Sequence, residues 1–337
     1  MKRVYIYFSL ILLMVILASP TNVFAGEGLF YFFNNTYGLT NFKKYYKDID
    51  IIAPQVYTVG YDLKIKKPKT STTKIIRAAK DKGSNTIPLL VNANFDKVLM
   101  SDILLSEKAQ DEIIQFMIDE AKKNKFAGWQ FDFENINHLD RDMYSAFVAK
   151  TYKKMKENNL SFSVAVIPRS TPYDPTSEDQ DWSSGYDFKA IAKNTDFVSL
   201  MSYDDPKSIG PVASLPYTKK ILDYMKTQIP AEKISLGIPL YCWKWNENID
   251  ARAGSLTHKL ALAEYGKGKD KKKGYDEDLG AAWYEYTLKG VKYKTWCESE
   301  ESVQAKLDLI DSQGLRGFSA WALGQEPSWL WRLLKNS

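Results

Sequence analysis

The sequence predicts an α/β protein, a TIM (β/α)8 barrel with a small α+β insertion between strand seven and its helix. Three observations predict it. Eight short runs rich in β-branched and aromatic residues recur along the chain, amphipathic helical stretches separate them, and one late interval breaks the rhythm. With 337 residues, 45% of them hydrophobic, the chain is long enough to bury a full core without metal or disulfide staples.

The predicted strands are 29–33, 51–57, 86–91, 128–133, 161–167, 196–201, 233–239 and 317–322. Eight is the count that closes a parallel barrel. Between them, residues 108–125, 140–159, 215–228 and 301–313 place apolar side chains at three- and four-residue steps, the period of a helix with one buried face. In 140–159 acids lead and lysines trail, as the helix dipole favours. About sixty residues separate strand seven from the next helix. Within them 281–296 alternates around Lys289-Gly290 like a hairpin, so 242–300 is read as an inserted lobe. Such an insertion would sit at the strand-end face where barrel enzymes keep their sites. There is no internal repeat and no Pro- or Ser-rich linker, so residues 26–337 are expected to form one catalytic barrel.

Residues 1–25 have a basic start at Lys2 and Arg3, an apolar run from Val4 to Ala18 and a small-residue cleavage site at Val23-Phe24-Ala25. They read as a secretory signal peptide, with an uncleaved membrane anchor as the alternative; the expected location is secreted, periplasmic or in the cell envelope, with no integral span after cleavage. No cysteine lies in the segment, so no lipid attachment is indicated. Loss of Lys2 and Arg3 takes the formal net charge from +5 to +3, too weak to argue for nucleic acid. The densest basic run, 266–274, reads as a solvated loop, attraction to an anionic wall polymer being the sharper reading. Two cysteines, Cys242 and Cys297, either close a disulfide in an exported protein or are two small buried residues. With only His138 and His258 available, no metal site suggests itself.

The stretch "GWQFDFEN" (128–135) carries an amide and two carboxylates at every second position. On a strand, Gln130, Asp132 and Glu134 therefore share one face while Trp129, Phe131 and Phe133 share the other. In a barrel the aromatics would pack against the helices and the polar three would point inward, at a cost of several kcal/mol unless hydrogen-bonded or used. Glu134 falls where the strand ends, at the rim. The plainer alternative is a half-exposed strand with a solvated acidic face. Against it, "MSYDD" (201–205) and "GFSAWALGQEP" (317–327) also deliver polar or aromatic residues to strand ends, although Tyr203 and Trp321 could each be core fillers. Two carboxylates one residue apart on one face repel when both are ionised, which raises the pKa of one of them.

These residues resemble glycoside hydrolase family 18, the chitinases and related endo-N-acetylglucosaminidases. "AGWQFDFEN" is similar to its fourth-strand signature D-G-x-D-x-D-x-E, "LMSYDD" to its sixth strand, "LGIPLY" to its seventh and "WALGQEP" to its eighth-strand tryptophan segment. The closest flavour is the bacterial spore-cortex-lytic, peptidoglycan-active branch. The resemblance implies an exported glycosidase hydrolysing β-1,4 linkages of N-acetylglucosamine-containing polymers, peptidoglycan ahead of chitin, by a retaining, substrate-assisted mechanism without a cofactor. It makes Glu134 the general acid and base, Asp132 the group that orients the substrate's acetamido N–H, Tyr203 the holder of its carbonyl oxygen and Trp321 the floor beneath the reacting sugar. Asp204 belongs to the sixth-strand motif and would support Tyr203 or touch substrate. Two positions depart from the pattern. Ala127 and Gln130 stand where the family has its first two aspartates, so Gln130 could orient Asp132 but could not take its proton.

Aromatic residues at predicted strand ends or in the lobe, Tyr57, Trp243, Trp245, Trp283 and Trp296, are candidates for a groove, since sugars stack on exposed rings. Asn92 and Asn94 could bond hydroxyls or cap a turn. The expected partner is the polysaccharide alone, and the protein is expected to be a monomer. Two rival readings remain: a catalytically weak or inactive chitinase-like lectin, and a conventional glycosidase using Glu134 and Asp204 as acid and nucleophile.

Overall fold

The computed structural model describes residues 26–33, 35–66 and 73–336; the expected signal peptide at 1–25 lies outside them. In chain order the strands of more than two residues are β1 (Glu27–Phe32), β2 (Ile51–Val59), β3 (Leu89–Asn92), β4 (Gly128–Asp132), β5 (Ser161–Val166), β6 (Phe197–Leu200) and β7 (Ile234–Pro239). Then come β8 (Tyr241–Asn246), β9 (Ala251–Thr257), β10 (Lys269–Asp276), β11 (Ala281–Leu288), β12 (Val291–Cys297) and finally β13 (Gly317–Trp321). Strands β1 to β7 and β13 pair in parallel with their neighbours, and β1 pairs with both β2 and β13, so the sheet closes into an eight-stranded barrel. Helices α1 (Thr36–Tyr45), α2 (Thr73–Lys82), α3 (Lys97–Leu105), α4 (Glu107–Asn124), α5 (Arg141–Glu157), α6 (Phe188–Lys193) and α7 (Leu215–Met225) follow the first six strands. Their starts carry side-chain caps where the sequence supplies them: Ser106 accepts from Ala109 N, Asp187 from Ala190 N and Ser214 from Tyr217 N.

Alternation along each strand sorts the residues into two layers. Outward, Phe30, Phe32, Trp129, Phe131, Phe133 and Phe162 join one large apolar cluster with helix residues such as Ile113, Met117, Phe147 and Val148. The aromatic half of the β4 row thus packs against the helices, with Phe131 against Phe133, Phe147 and Phe162 at centroid distances of 4.6, 5.2 and 4.8 Å. Inward, Leu29, Tyr31, Ile51, Ala53, Leu89 and Phe197 fill the barrel. Beside them Ser163, Ser199, Ser235 and Ser319 give part of the interior a polar lining instead of branched aliphatics.

One strand breaks the alternation. A bulge between Gln55 and Tyr57 shifts the register of β2 against β3, so Ala53 and Gln55 face inward but Tyr57 turns to the helix side. Tyr57 is wholly buried, packs edge-on against Trp129 at 4.9 Å and donates to Glu120 Oε1 at 3.2 Å. Its candidacy as a sugar-binding residue is therefore corrected.

Between β7 and helix α9 (Glu300–Ser312), β8 to β12 form a separate antiparallel sheet in the order β9-β8-β12-β11-β10, with α8 (His258–Lys267) packed on it. A Cys242–Cys297 disulfide joins the start of β8 to the end of β12. Glu298, the next residue, is buried against Lys306 of α9 at 2.8 Å and accepts from Ser302 Oγ at 2.5 Å. The sheet is thereby tied at its neck both to itself and to the barrel. Residues 266–274, expected as a loop, instead end α8 and form most of β10. The lysines there are exposed because β10 is an edge strand, where charge is tolerated and discourages further pairing. After β13 the chain ends in α10 (Leu330–Asn336), whose Trp331 stacks on Phe30 and Tyr45.

Candidate active site

Glu134 stands two residues past the end of β4, at the C-terminal mouth of the barrel. Its backbone is clamped on both sides. Glu134 N donates to Asn92 Oδ1 at 3.1 Å, and Asn92 Nδ2 returns a bond to Glu134 O at 3.1 Å. Tyr186 Oη donates to Phe133 O at 2.8 Å and Ser184 Oγ to Ile136 O at 3.2 Å. Asn92, expected on the substrate side, is buried and is corrected to a group that holds Glu134 in place. Turns with non-glycine residues at positive φ crowd this rim: Asn94, Phe95, Asn135 and Asp204. Such conformations cost energy and cluster where side chains must be aimed.

The Glu134 carboxyl is pushed well above the usual carboxylate range, first by burial and then by the charges of Asp132 and Asp204. Asp132, one turn of the pleat below, is also raised, by burial, against the lowering effect of a hydrogen bond from Gln55. Its Oδ1 is a buried acceptor without a protein donor. The pair thus meets the repulsion argument made from sequence, but the low-dielectric surroundings contribute more than the repulsion.

Gln130 is fully buried beneath them. Its Oε1 accepts from Tyr31 Oη at 2.9 Å, and its Nε2 donates to Ser163 Oγ and Ser199 Oγ at 3.0 Å each. Ser199 accepts in turn from Ser319 Oγ at 2.9 Å, and Ser319 lies 2.5 Å from Ser235 Oγ. The amide is consumed by a hydroxyl chain across the barrel interior. Gln130, a candidate for substrate contact and for orienting Asp132, is accordingly corrected on both counts, Tyr31 of β1 and the serines of β5 and β6 having supplied its partners.

Tyr203 follows β6 and is buried beside Tyr31, Tyr241, Asp132 and Asp204; burial, then those neighbours in that order, holds its phenol protonated. Its approach needs Gly237, where an added Cβ would fall 2.9 Å from Tyr203 Cε1 and 2.3 Å from Leu200 O. Asp204 accepts from Tyr241 Oη at 2.6 Å. Burial raises its pKa, opposed by that bond and by Arg252. Arg252, on the lobe, stacks its guanidinium over Trp243 at 4.5 Å.

A cavity of about 980 Å³ opens here, bounded by Trp182, Asp204, Tyr241, Trp243, Arg252 and Trp321. It spans the mouths of β5 to β7 and β13, and Asp204 is the wall residue whose charge reaches Glu134. Trp321, half-buried on β13, lies 5.4 Å from the ring of Tyr31 and 6.1 Å from that of Phe33, and the peptide bond after it is cis. Trp243 and Trp245 face the cavity; Trp245 Nε1 donates to Gly210 O at 2.8 Å. Trp296 does not bound it. It sits opposite both Trp243 and Trp283 in the lobe sheet, buried under Lys294, and its sugar-binding candidacy is corrected on that ground. Trp283 lies beneath the same lysine, at 4.7 Å. Asn94 donates to Tyr61 Oη at the exposed rim, outside the cavity wall. Among the described residues no group of His, Cys, Asp or Glu assembles that could hold a metal ion, and no helix is long and apolar enough to cross a membrane.

Sequence reasoning did not find Tyr31, Gln55, Tyr241, Arg252 or Trp182. Tyr31 was visible as an inward position of β1, and Tyr241 ends the matched "LGIPLY" segment. Arg252 and Trp182 lie in segments without periodicity, where no local pattern marks them.

Residues 32–326 match the profile of glycosyl hydrolases family 18. The uncharacterized glycosylase YvbX of Bacillus subtilis (strain 168) is 28% identical over 321 residues, 93% of this chain and 91% of that protein. The cortical fragment-lytic enzyme of Bacillus anthracis is 31% identical over 285 residues, 80% of this chain but 63% of that longer protein. Among solved structures, the spore cortex-lytic enzyme SleL of Bacillus megaterium QM B1551 superposes with a TM-score of 0.82 at 25% identity, covering 92% of this chain and 73% of that one. A chitinase of Chromobacterium violaceum shares the fold, with a TM-score of 0.81 at 23% identity over 93% of this chain and 98% of that one. A barrel whose fourth strand carries two carboxyls raised by burial beside an aromatic-walled cavity, matched by this profile over most of its length, belongs to glycosyl hydrolases family 18 and is a glycoside hydrolase.

Proposed function

We propose that this glycoside hydrolase acts outside the cytoplasm on β-1,4 linkages of N-acetylglucosamine-containing polymers, peptidoglycan ahead of chitin, by a retaining, substrate-assisted mechanism. The observation that carries the reading is the stack of Glu134 over Asp132, with Tyr203 beside them and Trp321 across the mouth. Peptidoglycan is placed first because the cortical fragment-lytic enzyme and SleL are among the most similar proteins. The leader-like 1–25 supports export.

In this mechanism Glu134, protonated at neutral pH, donates its proton to the glycosidic oxygen. The carbonyl oxygen of the sugar's own 2-acetamido group attacks the anomeric carbon from the other face as the bond to the leaving sugar breaks. Asp132 Oδ1, the buried acceptor without a protein donor, takes the acetamido N–H and favours the cyclic oxazolinium ion. The Tyr203 hydroxyl donates to the acetamido carbonyl oxygen, and Trp321 packs on the apolar face of the ring. Glu134, now ionised, removes a proton from water, which reopens the ion with net retention.

The test is reducing-end release and product mass from peptidoglycan, colloidal chitin and chitooligosaccharides, with wild type against Glu134→Gln. The variant is expected to lose at least a hundredfold in rate, the usual contribution of a general acid, while still binding saccharide. No cleavage by either protein, with both binding equally, would instead identify a lectin.

A further inference from the structure

Residues 267–273, at the end of α8 and the start of β10, hold five lysines and one acid, an excess of four positive charges against a net of +3 for the whole chain after residue 25. The rest of the protein is therefore close to neutral. Lys269, Lys271, Lys272 and Lys273 are exposed on the free edge of the lobe sheet, with Lys267 exposed just before them. Consecutive Lys272 and Lys273 point to opposite faces, so the charge wraps the edge. Elsewhere in the lobe lysines are paired: Lys244 with Glu264 at 2.6 Å, Lys292 with Glu247 at 2.9 Å and Lys294 with Glu285 at 3.1 Å. Glu285 stands opposite Lys272 in the ladder between β10 and β11, yet it is turned to Lys294 on its other side. Among the described residues none of the five lysines has an acidic partner; the Lys271 ammonium reaches only the carbonyl of Gly266, at 3.3 Å.

Charge on an edge strand discourages pairing with another chain, but lysines paired across the sheet would serve that end equally. An unpaired row leaves its field free for a partner of opposite sign. The row belongs to the same sheet as Trp243 and Arg252 of the cavity wall and lies three strand spacings from β8, about 14 Å. We propose that the β10 lysines are a docking surface for the peptide carboxylates of peptidoglycan, holding that polymer beside the cavity while its glycan lies within. The proposal rests on the wall-directed glycosidase reading and gives its order of substrates a cause: chitin is uncharged, so only the carboxylate-bearing polymer gains from the row. Each exposed ammonium contact is weak and screened by salt. Several on one polymer raise the local concentration of glycan at the mouth.

Cosedimentation with peptidoglycan sacculi freed of phosphodiester polymers tests this in the Glu134→Gln background, with chitooligosaccharide binding measured beside it. Combining Lys269→Glu, Lys272→Glu and Lys273→Glu should weaken sacculus binding about tenfold at low salt, the size of a few exposed ion pairs, and leave chitooligosaccharide binding unchanged. The difference should vanish near 1 M salt, where the screening length falls to about 3 Å. Arginine at the same three positions should bind as the parent does, and sacculi whose carboxyls have been amidated should bind parent and charge-reversed protein alike. Equal weakening for sacculi and chitooligosaccharide, no change for either, or a loss that persists on amidated sacculi overturns the docking surface. Lysine-dependent binding found only on sacculi that retain phosphodiester polymers overturns the assigned partner. If the protein with Glu134 intact cuts neither polymer while sacculus binding still depends on the lysines, the docking surface stands and the glycosidase reading falls.

Discussion

At Glu134, burial and the charges of Asp132 and Asp204 all favour the protonated form, the state that the proposed mechanism requires at neutral pH. Activity should accordingly fall as pH rises through this elevated value. Asp204→Asn removes one of the charges that raise it, so Glu134 loses its proton earlier. The alkaline limb of kcat/KM should move to lower pH by roughly half to one unit; a limb that stays put, or moves up, would show that Asp204 does not act on Glu134. The residues in the matched strand-end motifs, Asp132, Glu134, Tyr203, Asp204 and Trp321, were legible in the sequence because each lies at the end of a strand or within four residues past it. Gln130 was legible as an inward residue but not in its use, since Tyr31, Ser163 and Ser199 come from three other strands.

At the scale of elements, alternation predicts the inward face of a strand only while the register holds. The bulge in β2 defeats it for Tyr57, and nothing local in "IIAPQVY" announces the extra residue. Likewise the lysines of β10 read as a loop because an exposed edge strand carries no apolar face to reveal its period. The lobe supplies Tyr241, Trp243 and Arg252 to the cavity, and Cys242 lies between the first two. Replacing both Cys242 and Cys297 by serine opens a loop of 55-residue separation, which the chain-entropy argument values at about 4 kcal/mol. The expected result is a lower melting temperature and a raised KM for polymer, with kcat changed less because Glu134 and Asp132 belong to the barrel. A kcat loss with KM unchanged would mean that the lobe shapes the chemistry rather than the groove.

For the molecule as a whole, eight strands and four of the helices that cover them followed from periodicity because the barrel's outer face is continuously apolar. The site did not follow as fully, because its walls converge from four strand ends and a lobe that are far apart in sequence. The central claim is that Glu134 works with the substrate's own acetamido group. Proton NMR of the first product, from an N-acetylglucosamine oligosaccharide and from its de-N-acetylated counterpart, tests this most directly. The account predicts the β anomer from the acetylated chain and no cleavage of the other. An α product, or equal cleavage of the chain that lacks the acetyl groups, would contradict it.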